Sequence, residues 1–311
     1  MAREGSIKHL HSAKGNKSDE FYTRFEDIER ELKHYEKHFK NKIVFCNCDD
    51  PEESNFWKYF YLNFNSLGLK KLISTHFENG KPAYKLEISK TNKKKKKTPL
   101  KQKGDFRSQE CIDTLKESDI VVTNPPFSLF REYVAQLVNY DKKFLIIGNV
   151  NAITYKEIFK LIKENRAWLG INLGRGISGF IVPKHYELYG TETKIDKDGK
   201  RIISPNNCLW LTNLDNSKRH EDINLTKIYT GNENLYPTYD NYEGINVNRT
   251  KDIPLDYNGA MGVPITFLHK FNPSQFEIIK FRKGNDKRDL SINGKCPYFR
   301  ILIRNKRLKN K

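Results

Sequence analysis

Along this chain of 311 residues, short wholly apolar runs alternate with stretches whose apolar residues recur at helical spacing. "NKIVFCNCDD" predicts a strand that ends in carboxylates. "PEESNFWKYFYLNFNSLG" predicts a helix, its aromatics on a helical period and its stop at Gly68. "KKLISTHFE" follows as a strand, "SQECIDTLKES" as a helix, "DIVVTNPPF" as a strand, "SLFREYVAQLVNY" as a helix and "KFLIIGNV" as a strand. "TYKEIFKLIKENRA" predicts a further helix. "GFIVP" and "NNCLWLTNL" then read as two strands joined by a polar excursion containing "DKDGK". Strands alternating with helices imply an α/β fold with a doubly wound, mostly parallel sheet, and the last pair implies an antiparallel edge hairpin. Ligands of such sheets sit at the carboxyl ends of the strands, which places "CNCDDP", "GDF" (Gly104 to Phe106) and "NPPF" on one rim.

The run from Asp119 to Phe130, "DIVVTNPPFSLF", drives a β-branched strand into a turn where two prolines remove two backbone donors and forbid an immediate helix. Such stiffness suits one chemistry. The amino nitrogen of adenine or cytosine is a poor nucleophile because its lone pair is delocalised into the ring. The side-chain oxygen of Asn124 and the backbone carbonyl of Pro125 are two acceptors for its hydrogens. Pro126 holds the turn rigid, and the ring of Phe127 offers a stacking surface for an extruded base. The bland alternative is a capped strand-to-helix turn.

Charge points to a polyanion. With 56 Lys and Arg against 38 Asp and Glu, the formal net charge is +18 and the sequence pI is about 9.5. From Ile278 to Lys311 there are 12 basic residues and two acids, so this tail alone supplies +10. There the cations alternate with apolar residues in "PYFRILIRNKRLKNK", which predicts a strand with one basic face. Arg300, Arg304 and Arg307 become the candidate DNA contacts. "KKKKK" at Lys93 to Lys97 reads instead as a solvated loop insert over 91–103. Five scattered cysteines, Cys46, Cys48, Cys111, Cys208 and Cys296, match neither a zinc site nor a disulfide framework. No signal peptide or membrane span is readable, so a cytoplasmic protein without a metal is expected.

The motifs together resemble a known family. "NPPF" is similar to the catalytic motif of methyltransferases that act on DNA amino groups. "KSDEFYTRFEDIE", "FCNCDDPEESNFWKYF", "NNCLWLTNLD", "GAMGVPITFLHKFNPSQFEI" and "NGKCPYFRILIRNK" resemble the EcoRI-type adenine-specific modification methylases and their phage relatives, over nearly the whole chain. The resemblance implies S-adenosylmethionine as cofactor, a Rossmann-like sheet, double-stranded DNA as partner and a flipped adenine as target, in the service of protection against restriction. It implies Asn124, Pro125, Pro126 and Phe127 as the catalytic turn. It assigns the cofactor to Asp19, Phe21 and Tyr22 of "SDEFYT", to Asn47, Asp49 and Asp50 of "CNCDDP", and to Asp105 and Phe106. No general base is identified, and His185 and His220 are left unassigned.

The catalytic sheet is complete by "NNCLWLTNL", giving a catalytic domain over 1–214 and a target-recognition region over 215–311, the latter about the size of a small domain. The enzyme is expected to act as a monomer. Two alternatives stay open: a protein glutamine methyltransferase, which the basic tail disfavours, and a DNA-binding protein with a degenerate methyltransferase fold, which the intact "NPPF" disfavours.

Overall fold

The computed structural model describes residues 22–48, 50–77, 82–172, 177–182, 193–196, 199–203, 207–282, 290–296 and 299–308. The chain divides into two compact units, one of Met1–Ile158 with Ala167–Leu214, the other of Phe159–Arg166 with Asp215–Lys311.

The first unit carries strands β1 (Tyr22–Thr23), β2 (Ile43–Cys46), β3 (Lys71–Thr75), β4 (Tyr84–Ser89), β5 (Lys96–Pro99), β6 (Ile120–Thr123), β7 (Lys143–Asn149), β8 (Trp168–Leu169), β9 (Phe180–Val182), β10 (Thr193–Ile195), β11 (Arg201–Ile203) and β12 (Cys208–Thr212). Its helices are α1 (Phe25–Leu32), α2 (Glu36–Phe39), α3 (Asn55–Leu62), α4 (Gln109–Glu117) and α5 (Phe130–Asn139); α6 (Lys156–Lys163) runs on into the second unit. The main sheet has the order β5-β4-β3-β2-β6-β7-β12-β8. Its centre, β3-β2-β6-β7, is parallel, and the flanking strands are antiparallel. The parallel strands are wholly buried runs such as Ile43–Cys46 and Ile120–Thr123, as expected where both faces of a sheet are covered.

Sequence chemistry sets the helix ends. Ser54 caps α3 by accepting from the Phe56 and Trp57 amides, and Ser108 caps α4 by accepting from Cys111. Beyond α3 the chain turns through Gly68 at a φ of +63°, a left-handed conformation that glycine adopts without cost. Trp210 of β12 is fully buried, edge-on to Phe56 of α3 at 6.1 Å, so the antiparallel edge and the first crossover helix share one core.

The structure departs from the sequence-based expectation in two places. "GFIVP" does not hairpin with β12. It forms β9 in a separate four-stranded sheet of order β1-β9-β11-β10, while the short β8 pairs with β12 at the main sheet's edge. The expected loop insert is not all loop either. Lys96–Pro99 pairs with β4 as edge strand β5, where charged side chains blunt an otherwise open sheet edge. Lys97 of this strand lies over Tyr84 at 3.7 Å, and Lys95 just before it lies over Tyr61 at 4.3 Å.

The second unit is built on β13 (Thr238–Tyr239), β14 (Tyr242–Asn246), β15 (Met261–Pro264), β16 (Phe276–Arg282) and β17 (Arg300–Asn305), ordered β13-β14-β15-β17-β16. The expected basic strand is β17. It is an interior strand, paired on both sides, with Ile301, Leu302 and Ile303 fully buried. Among the described residues, no helix is long and apolar enough to cross a membrane.

Candidate functional site

Strand order reverses between β2 and β6. From β2 the chain builds the sheet in one direction through β3, and from β6 in the other through β7. The carboxyl ends of β2 and β6 therefore mark the topological switch point, where open α/β sheets bind their ligands. Asn47 follows β2 and Asn124 follows β6, and the two segments are tied together. The Thr123 hydroxyl donates to the Asn47 carbonyl, and the Tyr133 hydroxyl of α5 donates to Asn47 Oδ1. Asn47 and Asn124 are buried, at 3% and 7% exposure. A buried carboxamide is held in one orientation by such partners, because leaving any of its groups unpaired costs about 1–3 kcal/mol.

Just past Asn47, Cys48 adopts a φ of +72°, a conformation that costs a non-glycine residue about 1–2 kcal/mol and turns the chain sharply. Asp50 follows. Its Oδ1 accepts from the Tyr84 hydroxyl at 2.7 Å and from the Glu52 amide at 2.9 Å, and its Oδ2 lies 3.6 Å from Nδ1 of the buried His76. Burial first, then the hydrogen bond to Asp50, pushes the Tyr84 phenol well above its ordinary range. Tyr84 thus stays a neutral donor to a carboxylate at any physiological pH. Lys97 closes the cluster, seated on the Tyr84 ring and paired with Glu52 at 2.8 Å.

The "GDF" segment comes to the same edge. Gly104 has a φ of +68°, and a Cβ there would overlap the His76 carbonyl oxygen, so only glycine lets this loop lie against the end of β3. Phe106 is buried edge-on to Tyr133 at 5.1 Å, and Gln136 of α5 donates to its carbonyl at 3.1 Å. Asp105 is forked by Arg107 at 2.9 and 2.6 Å, which holds its carboxyl below the ordinary carboxylate range.

The "NPPF" turn runs from Asn124 through Pro125 and Pro126 into a short 3-10 turn, Phe127–Leu129, which leads into α5. Phe127 is half-buried, and its ring meets Phe180 of β9 edge-on at 6.1 Å. Phe180 lies opposite Thr23 in the β1–β9 pairing, and Tyr22 lies opposite Ile181. Asn55, at the start of α3, donates to the Thr23 carbonyl at 2.8 Å. The strand that ends "SDEFYT" is thereby fastened between β9, which meets Phe127, and the helix that follows "CNCDDP".

Among the candidates, Tyr22, Asn47, Asp50, Asp105, Phe106, Asn124, Pro125, Pro126 and Phe127 thus belong to one linked cluster. Asp19, Phe21 and Asp49 lie outside the described residues, as does His185. His220 pairs with Asp215 at 2.7 Å in the second unit. Cys46 is buried in β2 and Cys48 half-buried, neither in a disulfide, and no cluster of metal-ligating side chains exists among the described residues. Sequence reasoning missed Tyr133, His76, Tyr84 and Lys97. Each acts through a partner dozens of residues away, for which the linear sequence carries no signal. It also missed the carboxylates of α1. Asp27 accepts from the Ser178 amide and hydroxyl, and Glu31 from the Ile171 and Asn172 amides, so they pin the loops before β9. Burial pushes both carboxyls up.

In the second unit Arg304 pairs with Glu277 at 3.4 Å and Arg307 with Asp222 at 2.7 Å, both pairs about half exposed. Arg300 donates to Asn246 Oδ1 at 2.8 Å and to Asn248 Oδ1 at 3.4 Å.

Comparison with known proteins gives a consistent result. The family model described as adenine-specific methyltransferase EcoRI matches residues 9–306. The Type II methyltransferase M.EcoRI of Escherichia coli is 66% identical over 99% of this chain and 99% of its own. The Type II methyltransferase M.MgeORF184P of Mycoplasma genitalium is 40% identical over 97% of this chain and all of its own, and M.MpnI of Mycoplasma pneumoniae is 43% identical over 88% and 85%. No solved structure matches.

Proposed function

The chain belongs to the EcoRI family of adenine-specific methyltransferases, and on that premise we propose that it methylates the 6-amino group of an adenine flipped out of duplex DNA, as a modification enzyme protecting DNA from restriction. The observation that carries this reading is the tie across the strand-order reversal, where the hydroxyls of Thr123, just before Asn124, and of Tyr133 in α5 both donate to Asn47, so that the Asn124 turn follows a strand fastened to the β2 loop.

The residues fit the methyl donor that the family implies. S-adenosylmethionine bears ribose hydroxyls, an ammonium and an adenine. The β2 side of the switch point supplies the buried Asn47 amide and the Asp50 carboxylate, and the β6 side supplies Phe106 and Asp105. Tyr22, Asn47, Asp50, Asp105 and Phe106 would hold this group, within a Rossmann-like catalytic domain. When bound, it supplies an electrophilic methyl on sulfur.

The chain's own contribution is placement. Asn124 Oδ1 and the Pro125 carbonyl accept the hydrogens of the target amine and draw its nitrogen toward a tetrahedral shape, freeing the lone pair. The two prolines keep these acceptors from relaxing, so little reorganisation is needed during the reaction. Phe127 offers a face to the extruded base, offsetting part of the few kcal/mol that unstacking costs. The amine becomes acidic only after methylation, so its proton leaves late and no dedicated base is required.

Nucleoside mass spectrometry of DNA from a methylation-deficient host tests the reading. Expression should raise N6-methyladenine above the vector control. Methylcytosine instead, or methylglutamine on a host protein with unmodified DNA, would refute it.

A further inference from the structure

The second unit contains a pocket of about 400 Å³ beyond the end of β14, whose lining includes Lys227, Leu235, Asn246, Asn248, Arg249 and Asp252. Its wall is an ordered chain of amides. Asn246 is 3% exposed, and its Oδ1 accepts from the Tyr239 hydroxyl at 3.1 Å and from Arg300 Nε at 2.8 Å. Asn246 Nδ2 donates to Asn248 Oδ1 at 2.8 Å, which also receives Arg300 Nη2 at 3.4 Å.

The direction of these bonds is not a matter of choice. A guanidinium can only donate, so the atom of Asn246 facing Arg300 Nε must be oxygen. Its other amide atom is then nitrogen, a donor, and the atom of Asn248 that it meets must again be oxygen. The carboxamide of exposed Asn248 is therefore turned with its oxygen inward. Its Nδ2, which makes no hydrogen bond among the described residues, is left to the pocket. Lys227 adds a second donor at the lining. Arg249 adds a third, tied to Asp252 at 2.7 Å and 68% exposed. Leu235, 65% exposed, supplies an apolar lip.

With the Asp252 carboxylate taken up by Arg249, the donors of Asn248 and Lys227 match a ligand edge that presents acceptors. In duplex DNA the major-groove edge with two adjacent acceptors is guanine, through N7 and O6. Adenine asks for an acceptor as well, to take its N6 hydrogens. We propose that this pocket reads a guanine of the target sequence, with Asn248 as the specificity-determining residue and Asn246, Arg300 and Tyr239 as the residues that position it. This rests on the DNA-methylating function proposed above. It changes the part played by Arg300 from an electrostatic contact to the brace that sets amide polarity.

The test maps N6-methyladenine by single-molecule sequencing of DNA from a methylation-deficient host expressing wild type, Asn248→Ala, Asn248→Asp or Arg300→Lys. Wild type should mark one motif. Asn248→Ala should extend methylation to sites that differ at one G·C position, with preference there falling by about tenfold, the lower part of the range for one base contact. Asn248→Asp has the same shape but offers only acceptors, and should disfavour guanine at that position at least as strongly. Arg300→Lys keeps the charge but cannot fork two amides, and should relax the same position. An unchanged motif in folded Asn248 variants would overturn the proposal. So would an even loss at all sites with a flatter salt dependence, since that marks a phosphate contact. Failure of wild type to methylate adenine at all would refute the proposed function itself, which separates the two ideas.

Discussion

The strand ends of the first unit and the interior strand β17 of the second use polar side chains in opposite ways. At the strand ends, the groups proposed for the chemistry are consecutive residues on one turn, Asn124 to Phe127, and the segment before that turn is tied to the β2 loop by the Thr123 and Tyr133 hydroxyls, which both donate to Asn47. Around β17, the arginines of the strand and its end have partners in the fold, Arg304 with Glu277, Arg307 with Asp222 and Arg300 with two amides, and Asn248 is oriented through Arg300 and Asn246. The catalysis proposed for the first needs a few atoms fixed to a fraction of an ångström, which a stiff local turn can supply. The base reading proposed for the second needs a fixed pattern of donors and acceptors, which a long-range network can supply.

The largest effect expected from this contrast falls on the turn. Asn124→Ala should lower the methylation rate by roughly a hundredfold or more, as removal of one preorganised hydrogen-bonding group does, with cofactor affinity by calorimetry little changed. Near-normal turnover would remove Asn124 from the chemistry.

Next comes the brace. Tyr133→Phe removes the hydroxyl that donates to Asn47 Oδ1 inside the protein and should cost about 1–3 kcal/mol of stability. Thermal or denaturant unfolding would register it, and S-adenosylmethionine affinity should fall in parallel. A variant as stable as wild type would mean that the acceptor finds another donor.

A smaller effect is expected from Arg304→Ala with Arg307→Ala. The fold should lose under about 1 kcal/mol, since exposed pairs contribute little. The log-log salt slope of DNA binding should flatten by about 0.9 for each phosphate that is no longer neutralised, equally for specific and random DNA. An unchanged slope would leave these arginines as structural partners of Glu277 and Asp222 alone.

The smallest is a pH effect at Asp105. Because Arg107 depresses its folded-state pKa, the pair stabilises the fold fully above the ordinary carboxylate range and progressively less as pH falls through and below about 3.9. The stability gap between wild type and Arg107→Ala should be under about 1 kcal/mol near neutrality and close toward zero in acid. A gap independent of pH would assign the loss to packing of Arg107 on Phe106, 5.3 Å away.

The sequence by itself determined the alternation of strands and helices around the main sheet, the position of the Asn124 turn and the gathering of "CNCDDP", "GDF" and "NPPF" at one edge. Those follow from local causes: apolar period, serine caps, proline stiffness and the geometry of parallel crossovers. Only tertiary structure decided that "GFIVP" leaves the main sheet to pair with Tyr22–Thr23, because an apolar run of that length fits any sheet edge and carries no address. It likewise decided that the end of the lysine run, Lys96 and Lys97, would enter a strand, since backbone pairing with β4 and the face of Tyr84 outweigh the weak preference of lysine against strands. And it decided which of Arg300, Arg304 and Arg307 would be spent inside the fold. A cation in a sequence shows its charge, but its partner is set by residues 27 to 85 positions away, brought within hydrogen-bonding distance by folding alone.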